Sequence, residues 1–111
     1  MSRYCRKVGD HGEDFAAKIL ADNGYQILER NYRCRSGEID IIAVKNSVIH
    51  FIEVKTRSGD SCGTPADAVT ESKQSSIRRS AECYLVNRRL MWSSVSLDVM
   101  EITTNLLENC I

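Results

Sequence analysis

Two stretches near the middle of the chain are almost wholly apolar, and charge interrupts each at a fixed place. Residues 38–44 read Glu-Ile-Asp-Ile-Ile-Ala-Val, and residues 48–55 read Val-Ile-His-Phe-Ile-Glu-Val-Lys. Both are rich in β-branched residues. The short polar link Lys45-Asn46-Ser47 joins them, which predicts a β-hairpin. Their apolar density predicts an inner pair covered on at least one face. Upstream, Phe15, Ala16, Ile19 and Leu20 recur at helical spacing from Asp10, and Gly24 supplies a C-terminal stop. Tyr25 to Arg30 reads as a short strand. Arg30 to Gly37 is basic and aperiodic and reads as a connection.

Downstream, residues 56–64 form a loop punctuated by Gly59 and Gly63. Thr64-Pro65 predicts the start of a short helix through Val69. Thr70 opens a longer helix to about Arg89, with Ile77, Ala81, Tyr84 and Leu85 as its buried stripe. Val95, Leu97 and Val99 alternate as a strand, and the tail from Thr103 can add another. The order is helix-strand-strand-strand-helix-strand. It predicts an α/β fold, a mixed central β-sheet flanked by helices. There are no repeats or linkers, so one domain over 1–111 is expected, with a flexible N-terminus at 1–9.

Composition narrows the picture without naming a function. The 111 residues suffice for one ordinary core. Lys plus Arg and Asp plus Glu both number 15, so the formal net charge is zero, which weighs against tight binding to a polyanion unless charge is gathered in patches. No apolar run approaches the roughly 20 residues that cross a bilayer. The basic N-terminus lacks the apolar segment of a secretory signal, so a cytoplasmic location is expected. The five cysteines are odd in number and widely spaced, with no Cys-x-x-Cys pair, which predicts free thiols. None of them reads as reactive.

The chemistry is expected where charge enters the apolar strands. Glu53 and Lys55 share one strand face, as do Glu38, Asp40 and Ile42. If the hairpin pairs as read, Asp40 and Glu53 approach across it. Two carboxylates in a partly dry place repel each other. Mg²⁺ relieves such repulsion, prefers carboxylate oxygens and keeps several waters, so two or three protein ligands suffice. Lys55 would reach toward the same place, where it could help deprotonate a water or stabilise charge on a phosphate. The same pattern also fits an exposed sheet face with an ordinary Asp40–Lys55 ion pair. Glu13 has two readings as well, as the acid of a capping box opened by Asp10 or as a further metal ligand.

The ordered series Gly12-Glu13, Gly24-Tyr25-Gln26-Ile27-Leu28-Glu29-Arg30-Asn31-Tyr32-Arg33, Gly37-Glu38-Ile39-Asp40-Ile41-Ile42 and Phe51-Ile52-Glu53-Val54-Lys55-Thr56-Arg57 resembles the YraN-like family. So do Gly63 to Thr70, Lys73 and the helix over Ala81 to Leu85. The likeness runs from about Gly9 to the end. That family is similar to the PD-(D/E)XK nuclease superfamily, and its layout resembles the archaeal-type Holliday junction resolvases. The resemblance implies a restriction-endonuclease-like core. It also implies Asp40 and Glu53 as metal ligands, Glu13 as a further acidic ligand and Lys55 as the catalytic lysine. Lys73 or Gln74 falls where the superfamily often places a helix-borne Lys or Gln. One departure lies near the C-terminus, where Ser96-Leu97-Asp98 stands for the family's frequent Arg-Phe-Asp.

The expected function is thus a Mg²⁺- or Mn²⁺-dependent DNA endonuclease, structure-selective for branched or junction DNA. Arg33, Arg35 and Arg57 flank the site and would hold DNA by its backbone without reading sequence. The arginines of the long helix, Arg78, Arg79, Arg88 and Arg89, read rather as a solvated face. His11 and His50 are not expected to ligate metal, and Trp92 and Tyr84 read as packing residues. Resolvases act as dimers, so a homodimer is open. The alternative is a non-catalytic nucleic-acid- or protein-binding module on a nuclease-like scaffold.

Overall fold

A computed structural model describes residues 3–57, 70–89 and 94–103; for 3–11, 57 and 103 only the backbone is described. The chain runs α1 (Arg3–Asp22), β1 (Gln26–Cys34), β2 (Gly37–Lys45), β3 (Val48–Arg57), α2 (Glu71–Asn87) and β4 (Val95–Thr103). The strands form a four-stranded sheet in the order β1-β2-β3-β4. β1, β2 and β3 are successively antiparallel, whereas β4 returns parallel to β3. The expected mixed α/β order is therefore the observed one. The predicted helix over Pro65–Val69, Trp92 and the tail beyond Thr103 lie outside the described residues.

Local chemistry sets the boundaries. Gly24, at φ 91°, ends α1 in a left-handed cap. The Tyr25 N–H donates to the Leu20 carbonyl and the Gly24 N–H to the Ala21 carbonyl, the paired bonds of a Schellman motif. Asn46 and Ser47 both adopt positive φ, 52° and 65°, and make the two-residue turn whose twist suits a hairpin. Thr70 caps α2, its hydroxyl accepting the Lys73 N–H at 3.1 Å.

Two boundaries depart from expectation. α1 begins at Arg3 and not near Asp10, so Asp10 and Glu13 lie inside the helix and cannot form its capping box. β1 continues to Cys34, through the stretch read as a connection. It is an edge strand whose residues largely alternate between half-buried and exposed, so Arg30 and Arg33 face solvent while Tyr32 faces inward. Charge on an edge strand's outer face hides the strand pattern from sequence.

The core lies on both sides of the sheet. Ala16 and Leu20 of α1 pack with Ile41, Ala43, Ile52 and Ile102. Ala81 and Tyr84 of α2 pack with Ile39, Ile42, Ile49 and Phe51. Neighbouring residues in a strand feed opposite layers, which is why these strands are apolar almost throughout. β4 keeps the predicted alternation, but Val95, Leu97 and Val99 lie on its exposed side and Ile102 supplies the buried contact. No described helix is long and apolar enough to cross a membrane.

Gly12 is buried where α1 crosses β3. A Cβ there would run into the Thr56 hydroxyl and press on the rest of that side chain. Gly12→Ala should therefore lower stability by about 1–3 kcal/mol through overpacking, despite the roughly 1 kcal/mol by which alanine favours a helix interior. Urea unfolding checks this, and a variant more stable than the parent would refute the close crossing.

Candidate active site

The hairpin ladder pairs Lys45 with Val48 and continues to Ile41 opposite Ile52, where it stops. Beyond that point β2 keeps its pairing with β1 as far as Gly37, and β3 keeps its pairing with β4 as far as Arg57. The sheet is thus split at one end into two two-stranded halves. Asp40 and Glu53 are the first residues past the split. Asp40 bridges it, its Oδ2 accepting the Val54 N–H at 2.7 Å. The carboxylate replaces the backbone carbonyl that a continuing ladder would have offered.

α2 roofs one side of this notch. Glu38, Asp40, Glu53, Thr70, Ser72, Lys73, Ser76 and Ile77 line a cleft of about 560 Å³. Glu53 is only 8% exposed, which demands a partner, since a buried unpaired charge is costly. Lys73 provides it, Nζ lying 2.9 Å from Glu53 Oε1. The ammonium is raised above its ordinary pKa, first by this hydrogen bond and further by the charges of Glu53, Asp40 and Glu38, against the opposing effect of burial.

Asp40 has the opposite problem. Burial pushes its carboxyl up to about 7, aided by the charges of Glu53, Glu13 and Glu38 and opposed by the Val54 hydrogen bond. Glu13 thus comes from α1 into electrostatic reach of Asp40, and it also lines a neighbouring recess with Asp14, Arg30 and Asn31. Four acids from three elements surround one notch. Among the described residues, no three carboxylate, imidazole or thiol groups converge closely enough to hold a metal ion as they stand.

The remaining predicted residues are scattered. Lys55 is half-buried one step further along β3 and does not line the cleft. Gln74 lines a separate groove with Arg78, Leu97 and Val99. Arg33 pairs with Glu38 across the β1–β2 ladder, Nε to Oε2 at 3.2 Å, and Arg35 is exposed in the turn. The side chain of Arg57 lies outside the described residues. Arg88 is held by Glu29 at 2.8 Å, so it is not simply a solvated residue. His50 points away from Glu53, as strand parity requires, and its Nδ1–H donates to Asp98 Oδ2 at 2.6 Å. Ser96 donates to the other Asp98 oxygen, also at 2.6 Å, which gives that aspartate a structural role without the arginine the family often has nearby. Sequence reasoning underweighted Lys73. The available signal was its place one turn inside a helix whose Thr-capped start faces the end of β3.

A split mixed sheet with a buried Glu53 and a half-buried Asp40 under a helix-borne lysine defines an α/β protein with an acidic cleft. Residues 12–102 match the model of the family described as "Uncharacterised protein family UPF0102", and the chain belongs to that family. It is similar to a UPF0102 protein of Clostridium perfringens strain SM101, 49% identical over 102 residues that cover 92% of this chain and 84% of the relative. A UPF0102 protein of Moorella thermoacetica is 50% identical over 102 residues, 92% of this chain and 85% of that one. One from Rhodococcus opacus is 48% identical over 95 residues, 86% and 80% of the respective chains.

The raised Asp40 has a signed consequence for stability. Between its unfolded value of 3.8 and its folded value of about 7, the folded state holds more protons than the unfolded one. Stability contributed by the protonated carboxyl is then present at low pH and lost as pH rises through about 7. Asp40→Asn keeps an acceptor for the Val54 N–H and removes the titration. Its urea midpoint should fall less than the parent's between pH 4 and 8. Parallel midpoint curves for the two proteins would contradict the assignment.

Proposed function

We propose that the acidic notch is the active site of a metal-dependent phosphodiesterase acting on DNA. The observation that carries this reading is the pairing of Asp40 with Glu53 where the β2–β3 ladder breaks, beneath Lys73. The resemblance to the PD-(D/E)XK superfamily supports it, because the two acids fall on the motif positions. Branched or junction DNA is the favoured substrate class, since the cations near the site are suited to holding phosphate backbone without reading sequence.

The donor set fits Mg²⁺ or Mn²⁺. Both candidate ligands are hard carboxylate oxygens, and their repulsion is relieved only in part by one ammonium group. Asp40 and Glu53 would hold the ion with waters completing its shell, and Glu13 would add a third acid from α1. When bound, such an ion polarises phosphate and makes water a better nucleophile. The residues do the rest. Asp40 is fixed by the Val54 N–H, so it would meet the ion in one orientation. Glu53 would leave Lys73 to take up the ion, freeing the ammonium to face a phosphate oxygen as negative charge develops. Lys55, on the same strand face as Glu53, is the second candidate for that role. Arg33 and Arg35 lie further out, where they would contact DNA backbone.

The deciding experiment incubates the purified protein with labelled linear, single-stranded, flap and four-way junction DNAs in Mn²⁺, Mg²⁺ or EDTA. Metal-dependent cleavage is expected, strongest on branched DNA. Asp40→Asn and Glu53→Gln should each lower it at least ~100-fold while circular dichroism stays unchanged. Cleavage that persists in both variants would sink the reading. Binding of junction DNA in EDTA, with no cutting in either metal, would point to a non-catalytic module instead.

Lys73→Met offers a check that needs no substrate. Removing the ammonium strands the Glu53 carboxylate, and after discounting for the half-exposed lysine the metal-free protein should lose about 1 kcal/mol. Millimolar Mg²⁺ should restore more of that loss in this variant than it adds to the parent, because the ion replaces the missing charge. Equal Mg²⁺ effects on the two thermal unfolding curves would count against a metal site at Glu53.

A further inference from the structure

A second cluster lies where α2 seats against the end of β1. Ser76, Ser80, Cys83 and Asn87 recur at helical spacing on this part of α2. The Ser76 hydroxyl donates to the Ser36 carbonyl at 2.7 Å. Gly37, at φ 149°, has no room for a Cβ because the Ser76 and Ser80 hydroxyls occupy that place. The serine side chains of the helix therefore pack directly against the Gly37 backbone, and Ser80 is fully buried there. Just along the same contact, Cys83 Sγ accepts hydrogen bonds from Tyr32 Oη at 3.5 Å and from Asn87 Nδ2 at 3.3 Å. Tyr32 and Cys34 share one side of β1, so Cys34 lies beside the same helix face. Cys34 and Cys83 are both free and both half-buried, within reach of a small oxidant.

The surroundings favour thiolate at Cys34. Burial works against the charged form. The neighbouring Ser80 hydroxyl, the backbone at Ser36 and Gly37 and the Cys83 thiol together outweigh it, and the group sits below its ordinary value. Such a thiol, partly exposed and next to a second cysteine, has the features of a redox-sensitive pair rather than of inert core cysteines. Spacing along the chain conceals this, because Cys34 and Cys83 are 49 positions apart and only the docking of α2 against β1 relates them.

We propose that Cys34 and Cys83 form a peroxide-reactive modification site, with Cys34 as the attacking thiol and Cys83 as the resolving one. The Cys34 thiolate attacks hydrogen peroxide. The O–O bond breaks, Cys34 becomes a sulfenic acid and hydroxide leaves. The Cys83 sulfur then attacks the Cys34 sulfur, water leaves and a disulfide joins β1 to α2. Peroxide is the oxidant throughout, and a thiol reductant reverses the linkage by exchange. The bond would fasten the helix that carries Lys73 to the strand pair that carries Asp40. The proposal stands apart from the nuclease reading, since its readout is thiol chemistry.

The full-length protein is treated with one equivalent of hydrogen peroxide, remaining thiols are blocked, and peptides are mapped by mass spectrometry. The expected product is a Cys34–Cys83 linked peptide that dithiothreitol abolishes. In Cys83→Ser, Cys34 should instead accumulate as sulfenic acid captured by dimedone, well above the parent's level. As a check that needs no variant, iodoacetamide should label Cys34 faster in the folded protein than in urea at neutral pH. Linkages scattered among the five cysteines, or equal dimedone capture at Cys34 in parent and variant, would overturn the proposal. So would slower labelling of Cys34 in the folded protein.

Discussion

The hydrogen bond from the Val54 N–H to the Asp40 carboxylate is the constraint on which the site's geometry depends. At Ile41 and Ile52 the central ladder ends, and each strand stays with its outer neighbour. A split sheet leaves backbone N–H and carbonyl groups facing a gap, and buried ones must find partners. Asp40 meets that need from a side chain, which is longer than a carbonyl and so holds the two halves apart while still joining them. The notch this creates is the only reason Glu53, one residue along β3, can be buried and yet face a cleft. A strand residue at that position in a continuous sheet would be packed under α2 and would have to be apolar, as Phe51 and Ile49 are.

Electrostatics follows from this geometry. Placing acids in a partly buried notch removes water from them, and each charge then raises the cost of the next. The chain settles the conflict in two ways. Glu53 is matched by Lys73, and Asp40 is drawn toward its neutral form, up to about 7. The site thus keeps one acid paired and another close to its titration point. A protein selected for stability alone would more simply place apolar residues there, since buried charge pairs rarely stabilise more than packed hydrocarbon does. Glu53 is the one charged side chain buried among the described residues, and its place at the notch sets it apart from the apolar core.

Much of the fold was legible in the sequence because the relevant signals are local. Apolar density over residues 38–44 and 48–55, the Asn46-Ser47 turn, Gly24 and Thr70 each act within a few residues of themselves, and each element they predict is present. What was not legible depends on docking. The Glu13 capping-box reading failed because the helix begins earlier, and nothing local marks that start. Arg30 to Cys34 hides a strand because its charged side faces water while Tyr32 and Cys34 turn inward, Tyr32 against Tyr84 at 5.1 Å in edge contact. Lys73 looks like any exposed helix lysine until α2 is laid over the notch. The reason for a glycine at position 12 lies in its contact with Thr56, which no local pattern reveals. Lys55, prominent in the strand pattern, shares a face with Glu53 but lies outside the cleft.

α2 connects these observations. Its Thr70-capped start holds Lys73 over Glu53, its middle fills the core with Ile77, Ala81 and Tyr84, and its end is tied to β1 by the Arg88–Glu29 ion pair, with the Arg88 guanidinium 5.3 Å above the Tyr84 ring. Between these anchors the contact with the β1–β2 turn is built from Ser76, Ser80 and Gly37, residues too small to act as a wedge. Such a seam tolerates little change. Any shift of the helix along it would move Lys73 relative to Glu53 by the same amount, because an α-helix transmits displacement along its axis without absorbing it. Cys34 and Cys83 lie in that seam, between the anchor at Glu29 and the lysine at the notch. A covalent bond there would hold the helix against β1 and with it the position of Lys73 over Glu53.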